Sequence, residues 1–545
     1  MPMLHTTSEA FPAEKKMMSD IPYVLRVEFG ALETEGKKIV GKPIACYKCN
    51  GFLLSVDQIV EDDKVGKHFI CPFCGTLNVI EGEVITAGDD TDFVIEPPPD
   101  TTTSEGDALG QVGDTFLALI DVSGSMAGAN LAAVKRSLRT SVESLAANAP
   151  DTMFGLIEFE SSVLFRDLQS GNGIVLPRES YASFDDIQKE TKRLMDSIKF
   201  LGVGDNSDRI KKHVEALRDQ GGTALGPAVA MGYTIAKHRN IGRIVLLTDG
   251  LANEGIGALE GYQVTPADSF YEELGGRFME NGTAVDVVGI ASGAGMELKT
   301  LGLLPEATGG QMYYVTPNEL DRSIAELAGS SLLGRDVEVR LITPPGIRVK
   351  DASGVSRTII EDLKKKGESK IGAVGENHEI YFEVEPESRI ESDNVPIQVQ
   401  VTYTDSEGAR RVRAVTTKLK VAKDDEEILK TFDPTIGATF VTQKAGEESF
   451  RGERAEGKKR ISSFRAAMKK QTKAAPKQIQ SRIGEIDDVL AEEEEEMERL
   501  DNMMKAAPAS APSAAADEAY TSGLQQMRRS SKQMFRKKND EEEEE

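Results

Sequence analysis

Apolar positions change their period along the chain. From Asp114 to about Leu333, short runs that are apolar on both faces alternate with helix-length stretches. TFLALID, from Thr115 to Asp121, is one such run; FGLIEF from Phe154, RIVLLTD from Arg243, AVDVVGI from Ala284 and MYYV from Met312 are others. Runs of this kind predict buried parallel strands. Between them, Leu131, Val134, Leu138, Val142 and Leu145 fall on one side of a helix, and IKKHVEALRDQ and SFYEELGGRFMEN are also helix-like. Strands alternating with helices predict β-α-β units and an α/β, doubly wound, Rossmann-like sheet. Residues 335–421 switch to period two, as in Ile397, Val399, Val401 and Tyr403, and predict a β-sandwich.

The expected division is a flexible leader over 1–21, a small cysteine-bearing β segment over 22–86 and a linker over 87–113. The α/β core follows over 114–333, then the sandwich over 335–421, a helical region over 423–504 and a charged low-complexity tail over 505–545. The linker rests on Pro97–Pro99 and the TTTSEGD that follows. Ile479, Ile483, Ile486, Leu490, Met497, Leu500 and Met504 keep three-four spacing with a fault at Glu493, which suggests either a short coiled coil or a helix packed on its own domain. No internal repeat is visible.

Charge narrows the choice of partners. The 545 residues carry 65 Lys and Arg against 90 Asp and Glu, a net charge of −25. That balance argues against general attraction to nucleic acid or to an anionic membrane. The basic stretch Arg451–Arg482 runs straight into EIDDVLAEEEEEMERLD, so a pair of helices whose opposite charges meet is preferred to a nucleic-acid or lipid surface. No apolar stretch has signal-peptide or membrane-spanning length, and no lipidation motif is present. A cytoplasmic protein is expected, in some settings peripheral to endomembranes.

Two constellations carry chemistry. Open α/β sheets bind ligands at the carboxyl ends of their strands. There the first buried strand ends in Asp121-Val-Ser123-Gly-Ser125, RIVLLTD ends in Asp249, and GGTALGPA places Thr223 after two glycines. Two carboxylates and three hydroxyls are hard oxygen donors of the kind Mg²⁺ prefers. The five positions together resemble the metal-ion-dependent adhesion site of von Willebrand factor A domains, over roughly residues 114–333. The resemblance implies that Ser123, Ser125 and Thr223 ligate Mg²⁺ directly and that Asp121 and Asp249 act through water. It also implies that an acidic side chain of a partner protein completes the shell. The sixty residues between Glu160 and Gly221 exceed what a compact A domain needs.

The second constellation is Cys46-Tyr-Lys-Cys49 with Cys71-Pro-Phe-Cys74, separated by 21 residues. Two CxxC knuckles supply the four thiolates of a structural Zn²⁺ site, a zinc ribbon, and no cysteine is left over. His68, three residues before Cys71, is expected to be a spectator.

A zinc ribbon followed by an A domain, a strand-rich segment and helices resembles the inner-coat subunits of COPII vesicles. The ribbon and A domain also resemble the region that accompanies circularly permuted Ras-type GTPases of some protists. The chain departs from both: it keeps all five adhesion-site residues, has no segment for a gelsolin-like domain, and has no GxxxxGK[ST] loop. The leading expectation is a non-enzymatic interaction or scaffold protein that binds an acidic partner residue through Mg²⁺. The alternative is a COPII-coat-like trafficking subunit working with a small GTPase or coat components. A Mg²⁺-dependent enzyme is the weakest, because no nucleophile and base meet near the rim.

Overall fold

A computed structural model of the chain describes residues 2–18, 20–33, 37–97, 115–249, 252–259, 266–291, 298–329, 332–450, 453–471 and 475–506. The α/β sheet runs, in spatial order, through Gly173–Val175, Val163–Arg166, Met153–Phe159, Thr115–Asp121, Arg243–Thr248, Ala284–Ile290 and Met312–Val315. From Met153–Phe159 onward every pairing in that order is parallel.

Alternation decides which face each side chain covers. Leu117 and Leu119 point to one side with Ile244 and Leu246, against Ala228 and Val229 of the helix Leu225–Arg239. Phe116, Ala118 and Ile120 point to the other side with Val245 and Leu247, against Leu131, Val134 and Leu138 of the helix Ala129–Asn148. Both faces are covered, which is why these strands read as continuous apolar runs. The chain leaves Thr115–Asp121 toward one edge first and returns to its other side with Arg243–Thr248. Those two strands therefore flank the topological switch point, where an open sheet leaves a crevice. The long segment after Glu160 adds two antiparallel strands at the sheet edge and the helices Phe184–Leu194 and Val203–Ala216.

The sandwich also draws on strands from outside 335–421 and is composite. One sheet orders Leu4–Thr6, Val24–Glu28, Glu379–Pro386 and Ile347–Ser353. The other orders Glu368–Gly375, Leu332–Ile342, Asn394–Thr404, Arg410–Ala422, Asp90–Glu96 and Lys37–Val40, with Ala10–Pro12 also on Arg410–Ala422. The segment expected as a leader thus contributes two strands, and the expected linker contributes a third. Leu25 and Val27 are buried in one cluster with Val339, Val399 and Phe382. Strands of three to seven residues carry too little period-two signal to reveal a partner hundreds of positions away. Residues 98–114 of the linker lie outside the described residues.

The ribbon is smaller than 22–86. Its sheet is Ile59–Asp62, Gly66–Ile70 and Leu77–Val79, and its core joins Phe69 and Phe73 to Ile342 of the sandwich. The helical region packs the helices Pro434–Phe450, Arg454–Gln471 and Lys477–Ala506 together, with Ile483, Ile486 and Leu490 buried beside Phe440, Phe464 and Met468. The three-four stripe therefore serves intrachain packing. The basic helix meets the acidic one directly: Arg465 pairs with Asp487 at 2.8 Å and Glu494 at 2.6 Å, and Lys469 with Asp487 at 2.9 Å. Of the stripe, the side chains of Leu500 and Met504 lie outside the described residues, as does the tail from 507. Among the described residues no helix is long and apolar enough to cross a membrane.

Candidate metal centres

Each CxxC pair is shaped by a backbone knuckle. Asn50 N donates to Cys46 O, and Gly75 N donates to Cys71 O, both at 2.9 Å. Asn50 and Gly75 close the two turns in the left-handed region, at φ 59° and 69°. Asn tolerates that region and glycine adopts it without steric penalty. The knuckles point all four sulfurs inward, within 4.8 Å of one another. Cys46 Sγ lies 3.6 Å from Cys74 Sγ, and Cys49 Sγ lies 3.5 Å from Cys71 Sγ.

A tetrahedral ion with bonds of about 2.3 Å to sulfur requires sulfurs just under about 4 Å apart. The four cysteines fit Zn²⁺ in number, spacing and softness. Burial pushes the Cys49 thiol well up and that of Cys71 up to about 11. Burial also opposes ionisation of Cys74, but hydrogen bonds involving Thr76 outweigh it and hold Cys74 down at about 6.

Residues the sequence reading did not single out support the cluster. Asn78 Nδ2 sits 3.5 Å from Cys46 Sγ, and Asn78 Oδ1 accepts from Tyr47 N at 3.0 Å. Gln400 Nε2 of the sandwich donates to Asn50 O at 2.8 Å, tying one knuckle to the larger sheet. His68 Nδ1 contacts Gly66 O, and strand alternation sets it on the side of the sheet opposite Phe69.

The oxygen-lined rim lies at the switch point. Ser123 N donates to Asp121 Oδ1 at 2.8 Å, and Thr248 Oγ1 donates to Asp121 Oδ2 at 2.5 Å. Ser125 Oγ donates to Asp249 Oδ1 at 2.8 Å and lies 3.0 Å from Ser123 Oγ. Asn130 Nδ2, from the first turn of the following helix, donates to Asp249 Oδ2 at 2.6 Å.

Thr223 reaches the same rim through its loop. Gly124 N donates to Gly221 O at 3.1 Å, Gly222 N donates to Ser161 Oγ at 2.7 Å, and Thr223 N donates to Asn253 Oδ1 at 2.9 Å. Gly221 has φ +70°, and a Cβ there would lie 2.2 Å from Glu160 Oε2, so the loop needs glycine. Asp121, Ser123, Thr223 and Asp249 are buried, and Ser125 is exposed at the mouth. Burial lifts Asp121 to about 6, with the charge of Asp249 adding to it, and burial likewise raises Asp249. Asn130 and Thr248 were missed by sequence reasoning. Thr248 directly precedes Asp249 and was legible as a strand-end hydroxyl; Asn130 carried no local signal.

An A-type trunk joined to a cysteine ribbon, a composite sandwich and a helical bundle defines the class. Residues 112–328 match the Sec23/Sec24 trunk domain and residues 334–422 match the Sec23/Sec24 beta-sandwich domain. The chain therefore carries trunk and sandwich domains of the Sec23/Sec24 type. Among individual proteins it is 26% identical over 468 residues to circularly permutated Ras protein 1 of Dictyostelium discoideum, covering 78% of this chain and 53% of the relative. It is 24% identical over 370 residues to protein transport protein SEC24 of Coccidioides immitis, covering 61% and 38%. The chain spans about half the length of these relatives or less. The crystal structure of the human COPII-coat protein Sec24c superposes with a TM-score of 0.65 at 16% identity, over 86% of this chain and 69% of that one. At that identity the likeness is one of fold.

Proposed function

We propose that the chain is a Sec24-like vesicle-coat subunit of intracellular protein transport. It is a non-enzymatic adaptor that works at the cytoplasmic face of endomembranes through protein partners, including a small GTPase and other coat components. The observation that carries this reading is that the first strands of the chain pair with its last sandwich strands, while the ribbon core packs on Ile342 of the same sandwich. The coat protein shares this fold over 86% of the chain. Zn²⁺ held by Cys46, Cys49, Cys71 and Cys74 is structural in this reading, since four thiolates leave no open position for chemistry.

The test is recruitment of the purified chain to microsomes with cytosol and a non-hydrolysable GTP analogue. Recruitment that depends on the analogue is expected, and binding equal with and without it overturns the proposal.

A second reading keeps a role for the rim, favoured by the convergence of Ser123, Ser125 and Asp249 within 2.8–3.0 Å at an exposed mouth. Mg²⁺ would be held there by Ser123, Ser125 and Thr223, with Asp121 and Asp249 supporting, and would engage an acidic side chain of a partner. Affinity capture with magnesium present or simply omitted separates the two readings. Partners retained equally in both arms, and equally by Asp249→Ala, dismiss the rim as a binding site.

A further inference from the structure

The ribbon sheet carries apolar side chains on both faces, and on one of them those around the buried His68 stand exposed. Cross-strand register puts Val60 opposite His68, His68 opposite Val79, and Ile70 opposite Leu77, so these five share one side. Ile59, Phe69 and Asn78 share the other side, toward the cysteines. On the first side Val60, Ile70, Leu77 and Val79 are 53%, 62%, 44% and 57% exposed. Of the ten large apolar side chains that stand exposed among the described residues, seven belong to residues 47–79. A concentration of that kind on a small module marks a contact surface. Its surroundings are acidic: residues 56–83 carry Asp57, Glu61, Asp62, Asp63, Glu81 and Glu83 against Lys64 and Lys67. Asp62 Oδ2 stands 3.9 Å from His68 Nε2 on the apolar side itself, while its other oxygen closes the hairpin turn through Lys64 N and Val65 N.

We propose that this face is the docking site of the chain's own C-terminal segment 524–538. That segment lies outside the described residues, and its sequence, LQQMRRSSKQMFRKK, has the complementary chemistry. Leu524, Met527, Met534 and Phe535 offer apolar contacts, and six Arg and Lys with no acidic residue offer the opposite charge. In a chain of net charge −25 a positive stretch meets acidic surface in many places, and the exposed apolar side chains Val60, Ile70, Leu77 and Val79 inside this acidic rim are what set this face apart. Seventeen residues separate Ala506, where the last described helix ends, from Leu524. They span up to about 58 Å when extended.

Zero-length carbodiimide crosslinking of the intact zinc-loaded chain, with peptide mapping, reads the contact directly. Links from Lys532, Lys537 or Lys538 to Glu61, Asp62 or Asp63 are expected within monomeric species. Ile70→Ser combined with Leu77→Ser should abolish them and speed tryptic cleavage after Arg528 and Arg529 about tenfold. Both side chains are exposed, so unchanged zinc content certifies that the variant is folded. Links that are absent, that reach other surfaces, or that survive the double substitution overturn the proposal. Links found only between two chains also overturn it and make the face an interface between copies.

Discussion

The cysteine cluster and the oxygen-lined rim are both made where two loops meet, yet they treat their polar atoms differently. At the rim nearly every donor already has a partner: Asp121 is held by Ser123 N and Thr248, and Asp249 by Ser125 and Asn130. Such a site is stable without a cation, because hydrogen bonds replace much of the hydration its carboxylates lose. In the ribbon the sulfurs chiefly face one another, and thiols are weak hydrogen-bonding groups. An ion of the kind their geometry fits would hold them together, so metal and fold would be linked there and separable at the rim.

The largest expected effect follows from that linkage. Cys46→Ser should lose zinc and on the order of 5 kcal/mol of ribbon stability. Native mass spectrometry would show the lost ion, and hydrogen exchange would show lost protection near residues 44–80 with the trunk unchanged. A variant that keeps an ordered ribbon without zinc would break the comparison.

Glu493 sharpens it, as a buried carboxylate with neither cation nor hydrogen-bond partner among the described residues. Burial, with Glu496 and Glu492 adding, pushes it up to about 8 from 4.5. The folded chain therefore holds a proton that the unfolded chain releases above about 4.5, so stability falls as pH rises from there to about 8. Glu493→Gln should flatten that slope and stabilise the helical region by on the order of 2 kcal/mol at pH 8. Thermal unfolding between pH 5 and 8 measures it; parallel curves for the two proteins would show that Glu493 is not the group titrating.

The smallest effect is expected at the rim. Asp249→Ala removes one desolvated anion and frees two donors near an exposed mouth, so stability should move by about 1 kcal/mol or less. A calorimetric loss as large as that of Cys46→Ser would erase the distinction between the two sites.

Both sites were legible in the sequence to the extent that their residues are close in the chain or sit at strand ends. The two knuckles are contained in CxxC spacing, and Asp121, Ser123 and Ser125 in a five-residue loop after a buried strand. Their supports were not legible. Asn78, inside the ribbon, and Gln400, from the sandwich, support the cluster from positions with no distinguishing pattern, and Asn130 reaches Asp249 across 119 residues. The stripe from Ile479 to Leu490 showed a helix with one apolar side but not what covers it; the covering residues, such as Phe440 and Phe464, lie on other helices.

The sequence by itself determined the parallel core of the trunk, the convergence of Asp121 and Asp249 at its switch point, and the cysteine cluster. Each rests on local periodicity or short spacing, which acts within a few residues. Only the tertiary structure decided that the first strands of the chain belong to a sandwich completed 355 to 410 residues later, through Arg26 opposite Tyr381 and Phe11 opposite Val421. A β-ladder is satisfied by a partner's backbone, and backbone groups carry no address in the local sequence, so the pairing is chosen only when the whole core is buried.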